Sequence, residues 1–248
     1  MTDHELPVID AVREQSAPEG AEISLARRSV AEFAGTAALA AVVIGSGIAA
    51  EQLSPGDIGL RLLENSTASA FGLAVLILAF GPISGAHFNP VVSLADWLGG
   101  RRRGTGLSTR ELGAYIAAQC GGGIFGALLA NAMFDRAALQ IATQHRVTGG
   151  HLLGEILAAA GLITVGFAAA RHGRGVTAIA VATYIGSAIW FTSSGSFANP
   201  ALTLGRMLSD SFTGIAPASV PAFIAAQILG ALAGLSLMTL LYRPAADR

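Results

Sequence analysis

Two short segments hold the residues best placed to handle a small molecule: Ser84-Gly-Ala-His-Phe-Asn-Pro-Val-Val-Ser93 and Gly195-Ser-Phe-Ala-Asn-Pro-Ala-Leu-Thr-Leu-Gly205. Each sets an Asn directly before a Pro, as Asn89-Pro90-Val91 and Asn199-Pro200-Ala201. That order suits a helix start, because the Asn side chain can cap free N–H groups and Pro fits the first turn. Roughly ten fairly apolar residues follow each box, enough for a helix of about 15 Å, or half a bilayer. Amides and hydroxyls exchange hydrogen bonds, and a hydroxyl attacks a substrate only when a neighbouring base activates it. The chain offers no nucleophile–base pair, no metal cluster and no Gly-rich phosphate loop, so neither enzyme chemistry nor a cofactor is expected. His87, two residues before Asn89, has no second His or Cys at ligand spacing. Glu32 and Glu155 stand inside apolar runs, where an ionisable residue is a functional candidate by default.

The elements that must position these residues are membrane spans. The 248 residues are 52% hydrophobic and only 12% charged, about half the charge of an ordinary soluble domain. A span needs about 20 mostly apolar residues. Six stretches qualify, near 30–50, 66–84, 112–134, 152–170, 175–193 and 217–241. All 15 basic residues are Arg and nearly balance the 16 acidic ones, which leaves no basic field for nucleic acid. Cys120 is alone, so no disulfide can close within the chain, and it reads as a small buried hydrophobe. The first ~25 residues carry four Glu and precede a long apolar run without a clear cleavage site, so that run is expected to stay as an uncleaved anchor. Arginines cluster before spans 1 and 3, between spans 4 and 5 and after span 6, which predicts that both termini are cytoplasmic in a multi-pass plasma-membrane protein.

The chain also repeats itself. Ala31-Glu32-Phe33 answers Gly154-Glu155-Ile156, one Asn-Pro box answers the other, and Tyr115-Ile-Ala-Ala-Gln119 answers Phe223-Ile-Ala-Ala-Gln227. With three spans per half the second copy enters the membrane upside down, and in such inverted repeats the working site lies at the repeat interface near mid-membrane. Two half-helices entering from opposite faces would bring their positive ends together there. Gly121 to Gly123, Gly126, Gly230 and Gly234 read as surfaces for close helix contact.

The paired boxes, the Ala-Glu-Phe-x-Gly-Thr opening of the first span (Ala31 to Thr36) and the two helical glutamines resemble the aquaporin and aquaglyceroporin family. The resemblance covers about residues 28–242, with repeats near 28–134 and 151–242, a polar segment 1–27 before them and a tail 243–248 after. It implies an all-α fold of six transmembrane helices plus two re-entrant half-helices, assembled as a homotetramer in the lipid bilayer. It also implies passive passage of small neutral solutes, with Asn89 and Asn199 handing hydrogen bonds to them. By the same resemblance Glu32 and Glu155 hold the re-entrant loops and His87 lines the pore, while Gln119 and Gln227, as buried polar residues in spans, are expected to hydrogen-bond between helices. Val91, where the family usually has Ala, reads as tolerated packing.

A second departure bears on selectivity. The residue after the second box, usually Arg in this family, is Leu202. Family spacing puts the other walls of the constriction at Ser69, Ser187 and Ser196, a set of small hydroxyls without an aromatic or a charge. Such a ring should be wider and less strictly polar than one built on Arg, and suits uncharged hydroxylated solutes. The run Thr203-Leu204-Gly205-Arg206 resembles the bacterial branch linked to arsenic resistance, which favours arsenite, As(OH)3, and other neutral metalloid acids, then glycerol and water. A general water and glycerol pore is the alternative, and a membrane scaffold with a vestigial pore is the alternative from another class. Two roles are open to Arg206: partial replacement of the missing Arg, or compensation of the half-helix C-terminus with a pair to Asp210 four residues on.

Overall fold

The computed structural model describes residues 23–101 and 105–242; most of the expected polar N-terminal segment and the tail 243–248 lie outside them. Among the described residues the chain is all helical: α1 (Leu25–Leu53), α2 (Ile58–Ser84), α3 (Pro90–Gly100), α4 (Thr109–Met133), α5 (Gly149–Ala170), α6 (Arg174–Phe191), α7 (Pro200–Arg206) and α8 (Val220–Leu241). Six of these are long and apolar enough to cross a membrane, while α3 and α7 are the two half-helices. The face where α1 starts and α8 ends is called here the terminal face.

Capping residues explain the boundaries better than hydropathy alone. α2 begins eight residues before its apolar run because the Asp57 side chain accepts from Leu60 N and starts the helix through Arg61 and Glu64. α4 opens on a capping box in which Ser108 and Glu111 satisfy each other's backbone N–H, and the Thr148 side chain caps α5. α3 has the expected length at 11 residues. α7 has only 7, because Ser209-Asp-Ser-Phe-Thr-Gly214 follows it and such residues favour turns over helix.

The two repeats interlock around the half-helices. α1 packs on α4 and α5 on α8, while each half-helix also packs on the last span of the other repeat, α3 on α8 and α7 on α4. Glycines permit these approaches. A Cβ on Gly122 or Gly126 would run into the carbonyls of Phe33 or Ala37, and one on Gly230 or Gly234 into those of Ile156 or Ala160. Large apolar side chains such as Phe71, Val75, Ile179, Leu229 and Leu240 are exposed around the outside, as lipid-facing positions should be. Cys120 is only half-buried, rather than the fully buried residue its apolar surroundings suggested.

Candidate functional site: a cavity between two capped half-helices

The boxes meet head to head at the repeat interface. Asn89 accepts from Val91 N at 3.0 Å, and Asn199 accepts from Ala201 N at 3.0 Å and Leu202 N at 3.2 Å, so each caps its half-helix with Pro90 or Pro200 in the first turn. Each amide also crosses to the other repeat: Asn89 Nδ2 donates to Ala198 O and Asn199 Nδ2 to Phe88 O, both at 2.8 Å. An amide nitrogen carries two protons. One ties the two repeats together and the other remains for the cavity that both residues line.

The loops ahead of the boxes are held in a conformation that L residues seldom adopt. Ala86 and Phe88 in one, and Ser196 and Ala198 in the other, have φ between 46° and 53°. Strain of this kind persists only where the surroundings over-determine it. Glu32 supplies that restraint in the first loop: its carboxylate accepts from Ser84 Oγ, His87 N, Phe88 N and Gln119 Nε2 at 2.6–3.0 Å. Glu155 does the same in the second, accepting from Phe197 N, Ala198 N and Gln227 Nε2 at 2.7–2.9 Å. Both carboxylates are fully buried. Gln119 and Gln227 carry the link onward into the half-helices through Ser93 Oγ and Thr203 Oγ1, so they bond between helices.

A cavity of about 250 Å³ extends from Asn65 and Arg206, past both asparagines, to Asp96 and Thr177 nearer the terminal face. Its walls follow helical spacing. Asn65, Ser69, Leu73 and Ile77 line it from α2, each four residues from the next, and Thr177, Val181, Ile185 and Ile189 line it from α6 in the same register. One side is therefore aliphatic, with Leu39, Val43 and Leu162 added from α1 and α5, while the asparagines, serines and His87 provide polar groups.

Of the four residues expected at the constriction, Ser69, Ser196 and Leu202 line this cavity and are 2%, 5% and 6% exposed. Ser69 Oγ and Ser196 Oγ are buried and have no hydrogen-bond partner among the described residues. Ser187 does not join them. It is exposed and absent from the cavity wall, because it falls two residues from both Ile185 and Ile189 and so points from the other side of α6. Ile189 holds that wall instead. In vesicle flux assays Ser187→Leu is expected to leave solute entry within about twofold of wild type, whereas Ile189→Trp should cut it about tenfold by filling the passage.

The remaining candidates also have definite places. His87 lines the cavity with Nδ1 3.0 Å from Ser93 Oγ and its ring edge-on to Tyr115. Val91 points away from the cavity and packs with Ala95, Ile163 and Ala231, which fits a packing role; Ala201 faces Gly123 on α4. Arg206 makes no pair with Asp210 among the described residues. Its Nε donates to Thr213 O at 2.5 Å and its guanidinium lies over the Phe197 ring, 3.3 Å from the centroid, while Asp210 accepts from Thr143 N and Oγ1. The turn-forming stretch after α7 folds back and brings Thr213 nearer than Asp210.

Two contributors were missed from sequence. Asn65 stands four residues before Ser69 on the same face of α2, and that i−4 spacing is the available signal. Arg146, in the loop after α4, donates to Gly214 O and Phe212 O at 2.7 and 2.9 Å and flanks Phe197 from 5.3 Å. Burial pulls Arg146 down to about 10, which leaves it charged at neutral pH.

The major intrinsic protein family matches this chain over residues 19–193 and 176–248. Aquaglyceroporin AqpS of Rhizobium meliloti (strain 1021) is 44% identical over 224 residues, covering 90% of this chain and 94% of that protein. Aquaporin AqpM of Methanothermobacter marburgensis is 31% identical, covering 89% of this chain and 98% of its own. The X-ray structure of the aquaglyceroporin from Plasmodium falciparum superposes with a TM-score of 0.68 at 17% identity, over 89% of this chain and 98% of that one, which supports the same fold. With six apolar spans, two half-helices capped by facing asparagines and these relatives along nearly its whole length, the chain belongs to the major intrinsic protein family and is a multi-pass membrane channel rather than an enzyme.

Proposed function

We propose that the channel passes small uncharged hydroxylated solutes, with arsenite, As(OH)3, and related neutral metalloid acids first and glycerol and water beside them. The observation that carries this reading is the cavity wall itself, where the small hydroxyl residues Ser69 and Ser196 stand with Leu202. Ser69 Oγ and Ser196 Oγ have no hydrogen-bond partner among the described residues, so a rotation of either side chain would offer a free hydroxyl to a passing solute. Leu202 and Ile189 meet the less polar side of the same solute. A pyramidal trihydroxide and a polyol both combine hydroxyls with a less polar face. Two positive half-helix ends and the asparagine donors disfavour cations. The name of the 44% identical relative, an aquaglyceroporin, supports a second reading as a general water and glycerol facilitator.

The arginine distribution supports placing the terminal face in the cytoplasm of a plasma-membrane protein, with residues 28–242 as the channel unit. The homotetramer that the family resemblance implies belongs to the same proposal.

Stopped-flow light scattering and arsenite uptake on purified protein in vesicles test the solute assignment. Wild type should admit arsenite and glycerol. Leu202→Arg adds a bulky cation to the wall and should reduce arsenite entry about tenfold while water still passes. Passage of water alone by wild type would overturn the assignment.

A further inference from the structure

We propose that Arg206 and Asn65 form a second polar ring, one helical turn from Ser69 and Leu202 toward the face opposite the termini, and that this ring takes over charge discrimination from the position now occupied by Leu202. The proposal rests on the channel reading above. α2 runs from that opposite face toward the terminal face, so Asn65, four residues before Ser69, lies nearer the opposite face. α7 runs outward from mid-membrane, so Arg206, four residues beyond Leu202, is displaced the same way. Four residues of helix advance about 6 Å, which displaces Asn65 from Ser69 and Arg206 from Leu202 by a similar step in the same direction.

Both side chains line the cavity and both are pinned with one functional end left over. Asn65 Nδ2 donates to Val43 O at 2.8 Å and to Ser46 Oγ at 2.9 Å. Its Oδ1 has no partner among the described residues and remains an acceptor. Arg206 is 7% exposed and is held by Nε on Thr213 O and by its stack on Phe197, while its terminal nitrogens have no partner among the described residues. A planar guanidinium fixed in this way is a pre-organised fork of donors carrying a permanent positive charge. An acceptor and a charged donor facing one passage suit a neutral hydroxylated solute and repel a cation. Phe197 also carries Arg146 at 5.3 Å, which adds a second positive charge near the same mouth.

The test uses full-length protein in vesicles and reads ratios, so that expression and orientation cancel. For Arg206→Met, the ratio of methylammonium to glycerol entry should rise about tenfold over wild type, whereas Arg206→Lys, which keeps the charge, should hold it low. For Asn65→Val, the ratio of glycerol to water entry should fall about threefold. Wild-type ratios in both Arg206→Met and Asn65→Val would overturn the ring and leave the channel reading standing. If Arg206→Met does not fold, Asn65→Val decides alone, with an unchanged ratio counting against the ring. A wild-type protein that admits no solute would overturn both readings together.

Discussion

Glu155→Leu should abolish solute entry and leave a protein that melts far below wild type. The Leu keeps much of the volume but removes every acceptor, so Phe197 N, Ala198 N and Gln227 Nε2 lose their partner inside a closed core. Each buried orphan donor costs about 1–3 kcal/mol, and the three lie together. The strained backbone at Ser196 and Ala198 loses its restraint as well, and Ala198 O is the acceptor for Asn89 across the repeat interface. Damage in the second loop therefore reaches the first box. Glu155→Gln should be milder, because it retains one acceptor oxygen while placing an NH2 against a donor. Thermal unfolding in detergent and vesicle flux on the same preparations check this. Unchanged melting and flux in Glu155→Leu would show that the loop holds its shape without the carboxylate.

Gly123→Val should be nearly as damaging, through packing alone. A Cβ at Gly123 would run into the Ala201 carbonyl of α7, and one at Gly205 would meet the Gly123 carbonyl in return, so α4 and α7 touch backbone to backbone. Overpacking a tight site typically costs about 1–3 kcal/mol. Here the yielding element is a half-helix of 7 residues, fixed chiefly by this contact and by Asn199. Pushing α7 outward moves Leu202 and Arg206 together and should lower solute flux at least about tenfold, with a smaller loss of melting temperature than in Glu155→Leu. Gly113→Val, with open space around its position, provides the matched control.

The features legible in the sequence were those with a local or repeated signature. Apolar length marks the six spans, the Asn-Pro order marks the two half-helix starts, and the internal repeat pairs Glu32 with Glu155 and Gln119 with Gln227. Ser187 shows where a rule carried over from the family fails. Family spacing puts Ser187 on the wall, yet the helical phase of α6, with Thr177, Val181, Ile185 and Ile189 in register, turns it outward. Periodicity within the helix was the better guide. Arg206 was ambiguous for another reason: its partners, Thr213 O and the Phe197 ring, are set by how the stretch after α7 folds back, and no pattern in the sequence encodes that return. Asn65 was readable by its i−4 spacing from Ser69 but lay in the more polar start of α2.

Stopped-flow light scattering of glycerol entry, on vesicles holding wild type, Ile189→Trp or no protein, reports most directly on whether the cavity between the two boxes conducts. Wild-type vesicles should take up glycerol well above the empty-vesicle rate, and Ile189→Trp should return them close to it. Wild-type entry no faster than empty vesicles, or full-rate entry through folded Ile189→Trp, would contradict passage through this cavity.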